Sequence, residues 1–379
     1  MLENADFHIH SPFSIATSRA MSPPALIGAC TQKGITVLGC GDALHAQWRA
    51  MWEPYLENDA GIVIVPTVEV EGAGRVHHLI LLEDFDRCEE LARRFRPYSK
   101  NIATGGRPFV ALRGEEIAIC VHDLDGLIGP SHAFTPWTGL YGRFESLKEC
   151  YGAGMVDFLE LGLSADSGYG AGISELAGIP FLSNSDAHSP TPLKVGREFN
   201  RITVRRRTAS GVLESVRQAD IVMNAGFFPE QGKYNRTACT RCFHQYTRQE
   251  AESLRWICPL DGGRIKQGVR DRADVLTDSD PGKRPPYFHI LPLGEIIQRC
   301  LGTTSPNTKK CRRLYDLLLT SLGTEIEILA DVPVAAIRNV HPSVADAVAA
   351  FRAGAVTLIP GGGGRYGSFT FGQDICGSR

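Results

Sequence analysis

Short apolar runs alternate with helical signals through roughly the first 230 residues. Runs 35–42, 62–69, 76–82, 127–133, 158–161 and 179–182 are nearly unbroken in apolar residues and read as buried strands. Between them, Ser22 ahead of Pro23 and Pro24 opens a helix that Gly34 closes, and stretches 46–56, 89–95 and 114–124 are also helical. Buried strands separated by helices predict an α/β fold with a parallel sheet or barrel. Further along, residues 293–300, 309–322 and 342–353 read as helices and 325–329 as a strand.

Polar groups interrupt this pattern at defined places. His8, His10, Asp42, Glu69, His132, Asp186 and His188 fall mostly at or just beyond strand ends, which in a (β/α) barrel converge on one face. Residues one apart on a strand share a face, so His8-Ile9-His10 presents two imidazoles together. Asp186-Ala187-His188 repeats the spacing with a carboxylate. A nitrogen and oxygen ligand set without thiolate suits Mn, Zn or Fe. Two or three such metals a few ångströms apart can activate water and hold both oxygens of a phosphoester displacement.

Composition adds little until its distribution is considered. The 379 residues are 43% hydrophobic and 22% charged, with a net charge of −2, which excludes neither enzyme nor binding module. Between Lys233 and Arg313, however, 16 Lys/Arg stand against 8 Asp/Glu, an excess that suits a polyanion. No apolar run nears the ~18 residues of a membrane span, and the N-terminus lacks a signal-peptide pattern, so a cytoplasmic protein with reduced thiols is expected among its 11 Cys. Cys239-x2-Cys242 and Cys258-x2-Asp261 have zinc-ribbon spacing for one structural zinc, with Asp261 or His244 as fourth ligand. Three regions follow: 1–232 with the metal ligands, 233–272 with the ribbon, and 273–379 as a basic α/β domain. In the last, Gly361–Gly364 before Arg365 is expected to offer backbone N–H groups to a phosphate.

The set His8-x-His10, Glu69, a His followed by apolar residues, His132 and Asp186-x-His188 resembles the PHP (polymerase and histidinol phosphatase) family. The resemblance covers about residues 1–230 and implies a distorted (β/α)7 barrel with a multinuclear metal site for phosphoester cleavage. Catalytic roles then fall on Asp186, His10 and Glu69. Where the family carries Thr-Asp-His, this chain has Gly41-Asp42-Ala43, so Asp42 binds metal itself or His45 substitutes. His77 and His78 face opposite ways on a strand; the family pattern selects His78, which precedes Leu79-Ile80-Leu81.

A PHP barrel followed by a ribbon and a basic region resembles a group of archaeal and bacterial DNA-repair endonucleases. The shared stretches include 132–137, 160–167 and 183–189. That resemblance implies cleavage 5′ of uracil, hypoxanthine, xanthine or an abasic site in double- or single-stranded DNA, with active-site Zn, Mn or Mg. It further implies nucleoid association, no membrane, and contact with a replication clamp or other repair proteins. Extruding a damaged nucleotide needs a pocket, for which Trp137, Tyr141, Asp166 and Tyr169 are candidates, and Arg241, Arg264, Lys266, Lys309, Lys310 and Arg365 are candidates for DNA contact. The rival readings are a PHP phosphatase of a small monoester and a non-catalytic damaged-DNA-binding protein.

Overall fold

A computed structural model describes residues 1–152 and 156–371, so the last residues of the expected C-terminal region, 372–379, lie outside the described part. In chain order the strands are β1 (Leu2–Asp6), β2 (Val37–Gly39), β3 (Val63–Val65), β4 (Thr67–Glu71), β5 (His77–Leu81), β6 (Leu127–Pro130), β7 (Leu159–Glu160), β8 (Phe181–Leu182), β9 (Phe199–Thr203), β10 (Ile221–Gly226), β11 (Ala238–Cys239), β12 (Ile265–Lys266), β13 (Tyr287–His289), β14 (Val356–Ile359) and β15 (Ser368–Phe371). A six-stranded sheet runs β13-β10-β9-β1-β2-β3, beside a three-stranded sheet β4-β5-β6 and a pair β7-β8.

The fold is mixed α/β, and its sheets are less parallel than the apolar runs predict. β1, β2 and β3 pair in parallel, as do β7 with β8 and β10 with β13. The pairs β1–β9, β9–β10, β4–β5 and β5–β6 are antiparallel. For β4–β5 the reason is chain length: only residues 72–76 connect them, too few for a parallel crossover. The run expected as one strand over 62–69 is two strands in different sheets, divided at Pro66, which has no N–H for a ladder. The predicted first helix is observed as Pro23–Lys33, closed by Gly34 at φ 92°.

Beyond the β11–β12 pair, β13 re-enters the main sheet against β10. The following segment is mostly helical, with one β-hairpin. Helices Leu293–Cys300, Lys309–Leu322, Val334–Val340 and Pro342–Arg352 share a core that includes Leu293, Ile297, Leu318, Ile337, Val348 and Phe351, with the β14–β15 hairpin against it. Residues 325–329, read as a strand from their alternation of Glu and Ile, are helical, the turn Glu327–Asp331 being a π-helix. Ile326 is buried in the main core, and Ile328 and Leu329 in the helical one, which a short helix between two others achieves without a strand partner.

Beneath the face that carries the histidines lies a buried amide ladder. Asn200 accepts from Ser183 N (2.8 Å) and Asn224 Nδ2 (3.0 Å), and donates to Asn184 Oδ1 (3.0 Å), tying β8, β9 and β10 together. Nearby, Glu198 is buried; it accepts from Phe227 N at 3.1 Å, and burial pushes its carboxyl up to about 8. A folded chain that keeps this proton loses stability as pH rises from the ordinary value of 4.5 toward 8, because the unfolded chain has already released it. Glu198→Gln is therefore expected to raise the melting temperature more at pH 8 than at pH 5. Equal changes at both pH values in thermal melts would contradict this.

Candidate metal centre

Five segments deliver the site. His8 and His10 follow β1 on an extended stretch in which Ile9 bridges Ala187 and His10 N donates to Ala187 O at 2.9 Å. That places Asp186 and His188 beside them. Glu69 stands on β4, and the register Glu71↔His77 and Glu69↔Leu79 puts His77 on the same face as Glu69. His132 lies just past β6.

Glu69 is the hub. Its Oε1 lies 3.0 Å from His77 Nδ1, 3.0 Å from His132 Nε2 and 3.7 Å from His8 Nε2, while Oε2 is 3.5 Å from His10 Nε2. Asp186 Oδ1 is 3.2 Å from His10 Nε2 and 3.6 Å from His188 Nδ1. Among the described residues three candidate ligand sets emerge here: His8, His10 and Glu69; His10, Asp186 and His188; Glu69, His77 and His132. Glu69 and His10 each belong to two of them, so the sets are contiguous. Nε2 of His8 and His10 are buried without a hydrogen-bond partner, although carboxylates surround them, and unpartnered imidazole nitrogens beside carboxylates fit divalent cations.

The opposite ring nitrogens are held. His8 Nδ1 is 3.0 Å from both oxygens of Glu160, which also accepts from His132 N (2.7 Å) and Asn184 Nδ2 (2.8 Å). His10 Nδ1 is 3.1 Å from Asp42 Oδ1. Such outer carboxylates set tautomer and ring direction. Burial alone would raise Glu69 and Asp186, but His77 and His8 hold Glu69, and His10 and His8 hold Asp186, well below the usual carboxylate range. Burial would lower His10, yet Asp42 and Asp186 bring it up to about 9. Asp42, His132 and Asp186 all have positive φ, at 47°, 32° and 46°. Non-glycine residues in that region are strained, and here three of them sit together at strand ends.

Three expected ligands are placed elsewhere. His78 points away from the cluster, bonds Tyr151 OH at 2.5 Å, and burial lowers it to about 3. Asp42 turns its second oxygen to Ser11 N (2.7 Å), Ser11 Oγ (2.5 Å) and Ser14 Oγ (2.8 Å), and so orients His10 instead of joining a ligand set. His45 stacks on Phe13 at 3.8 Å between ring centroids. His77, Glu160 and Arg107 take places that the motifs alone did not assign. His77 shares a face with Glu69 because β4 and β5 form a direct antiparallel hairpin. Arg107 lies on a loop with no pattern to flag it.

A cavity of about 700 Å³ opens over the cluster, lined by His77, His132, Asp186, Arg107, Lys194 and Trp137 among others. Of the pocket candidates, Trp137 lines it, 44% exposed at φ 90°. The other three have structural partners. Tyr141 is buried against Glu175 (2.8 Å), Asp166 caps a helical turn and meets His289 (3.1 Å), and Tyr169 accepts from Asn235 (2.7 Å). Lys266 Nζ stands 3.8 Å from the Trp137 ring centroid, joining the segment 233–272 to the cavity wall.

Cys239, Cys242, Cys258 and Asp261 gather in a fourth ligand set, and His244 is not part of it. Cys242 Sγ and Cys258 Sγ are 3.7 Å apart, and Cys239 Sγ is 3.4 Å from Asp261 Oδ1. The glycine run packs on this module rather than cradling a phosphate. A Cβ on Gly363 would stand 2.1 Å from Cys239 O, while the N–H groups of Gly361, Gly362 and Gly364 donate to Glu230, Arg365 and Lys233 carbonyls. Arg241, Arg264, Lys309, Lys310 and Arg365 are exposed or half-buried.

The lesion-specific endonuclease PfuEndoQ of Pyrococcus furiosus is 42% identical, with a TM-score of 0.94, covering 100% of this chain and 98% of that one. The chain belongs to the endonuclease Q family. A structure of endonuclease Q with a 27-mer duplex bearing an abasic lesion at the active site is also 42% identical, at a TM-score of 0.94, over 100% and 99% of the two chains. Uncharacterized protein YqxK of Bacillus subtilis is 30% identical over 96% of this chain and 98% of its own. Uncharacterized protein MJ0043 of Methanocaldococcus jannaschii is 40% identical over 248 residues, which is 63% of this chain but only 31% of that protein. The MJ0043 C-terminal domain family model matches residues 292–355, the helical segment. Among the described residues no helix is long and apolar enough to cross a membrane.

Proposed function

We propose that this chain is a metal-dependent endonuclease that hydrolyses DNA on the 5′ side of a deaminated base (uracil, hypoxanthine or xanthine) or an abasic site. The observation that carries this reading is the sharing of Glu69 and His10 among three ligand sets under an open, cation-lined cavity. Full-length similarity to a lesion-specific endonuclease supports it.

His8, His10, Glu69, His77, His132, Asp186 and His188 would hold two or three divalent cations, Zn, Mn or Mg. Bound there, such cations supply Lewis acidity to water and offset charge on phosphate oxygens. Glu160 and Asp42 keep the Nε2 atoms of His8 and His10 facing the cluster. Lys194, Arg197 and Lys233 line the cavity and attract the phosphate backbone. Trp137 offers an exposed ring on which an extruded base or its neighbour stacks. Arg241, Arg264, Lys309, Lys310 and Arg365 extend the basic surface through regions 233–272 and 273–379.

The test is nicking of end-labelled duplexes carrying each lesion, in Mg, Mn or Zn, against hydrolysis of a phosphate monoester. A nick 5′ of the lesion is expected, and monoester hydrolysis without nicking would refute the reading. For the ribbon, Cys239, Cys242, Cys258 and Asp261 would hold one structural zinc. Metal analysis of Cys239→Ser is expected to show about one zinc fewer per chain; unchanged zinc would refute that assignment.

A further inference from the structure

We propose that Arg107 is a catalytic residue of this site, its guanidinium binding the phosphate being cut and offsetting the charge that builds there. The proposal rests on the endonuclease reading. Arg107 Nη1 lies 3.0 Å from Glu69 Oε2, and the side chain, 31% exposed, lines the cavity over the cluster. A guanidinium has five N–H donors in one plane and does not lose its charge. Glu69 takes one of them, so the group contacts the cluster and can still meet a ligand in the cavity.

Its position is fixed from both sides. Gly106 N donates to Phe13 O at 3.1 Å, and a Cβ on Gly106 would stand 2.2 Å from Asp42 Oδ2 and 2.4 Å from Ser14 Oγ. Only glycine allows the loop to lie this close to Asp42, the carboxylate that orients His10. On the other side, Glu71 N donates to Pro108 O (3.0 Å) and Val110 N to Glu71 O (2.8 Å), fastening the loop to β4, which carries Glu69. The cation is thus held by the elements that hold the ligands. A charge fixed in place before reaction stabilises a transition state without reorganising.

The other cavity cations are less suited. Arg197 donates Nε to Ser185 O at 2.8 Å and lies 3.5 Å from Asp186 O, which makes it a brace for that loop. Lys194 and Lys233 lack the planar fork that pairs with two phosphate oxygens.

The experiment measures single-turnover nicking of a duplex with one abasic site, duplex affinity, and bound metal, for wild type and Arg107→Ala. Arg107→Gln, which keeps an N–H for Glu69, replaces the alanine variant should that unfold. The expected result is a rate about 10²–10³-fold lower, with metal content unchanged and affinity within about threefold. A rate within about threefold of wild type would overturn the assignment. So would a rate loss that tracks loss of metal, since Arg107 would then serve only to hold Glu69. If wild type binds metal but nicks no lesion duplex, the endonuclease reading itself fails and this proposal with it. Where wild type does nick, the behaviour of the variants bears on Arg107 alone.

Discussion

Glu69→Gln is expected to lower lesion-dependent nicking by a thousandfold or more, about 4 kcal/mol of transition-state stabilisation. No other carboxylate in the site touches as many groups: Oε1 meets His77, His132 and His8, and Oε2 meets His10 and Arg107. An amide keeps the shape but removes the charge and one acceptor, so two of the three ligand sets weaken together. The check is single-turnover nicking with bound metal measured on the same preparation. The adjacent histidines supply the control. His77→Ala should lose metal and activity, whereas His78→Ala should keep both and lose stability through its Tyr151 contact. A variant at His78 that is less active than one at His77 would overturn the ligand assignment.

The largest effect on stability is expected far from the site. Lys33 Nζ and Glu325 Oε1 are 2.6 Å apart with both side chains wholly buried, joining the first helix to the C-terminal helical segment across 292 residues. Glu325 also accepts from Leu293 N (2.9 Å) and Tyr315 OH (2.7 Å). Glu325→Ala leaves an ammonium, an amide N–H and a phenol without their acceptor. Removing one partner of a buried pair typically costs about 3–5 kcal/mol. Denaturant unfolding of the variant should show that loss. A change below about 1 kcal/mol, the range of a surface pair, would mean that the two groups are solvated.

The two effects bear on what could be read without a fold. The candidate metal site was legible because its residues come in short-range patterns: His8-x-His10, which extended backbone puts on one face, and Asp186-x-His188, which the Ile9–Ala187 bridge sets beside it. The gathering of Cys239, Cys242, Cys258 and Asp261 was legible from spacing, and the first helix from Ser22, Pro23, Pro24 and Gly34. Choosing between His77 and His78 needed the antiparallel hairpin, since a parallel arrangement gives no reason to link their parity to Glu69. Assigning Asp42 needed its three hydroxyl and amide donors, which come from residues 11 and 14. Tyr141, Asp166 and Tyr169 are engaged by Glu175, His289 and Asn235, partners that no local pattern links to them.

The amino-acid sequence by itself therefore determined that histidines and carboxylates gather at strand ends of an α/β fold, and that a small cysteine module and a basic segment follow. These depend on local periodicity and short spacings, which the backbone enforces wherever the chain goes. Only the tertiary structure decided which imidazole faces Glu69, which carboxylates orient the histidines, that the glycine run packs on the cysteine module, and that Arg107 stands at the cluster. Those depend on strand direction and on contacts between residues tens to hundreds of positions apart. No local pattern along the chain displays such contacts before burial and pairing bring the residues together.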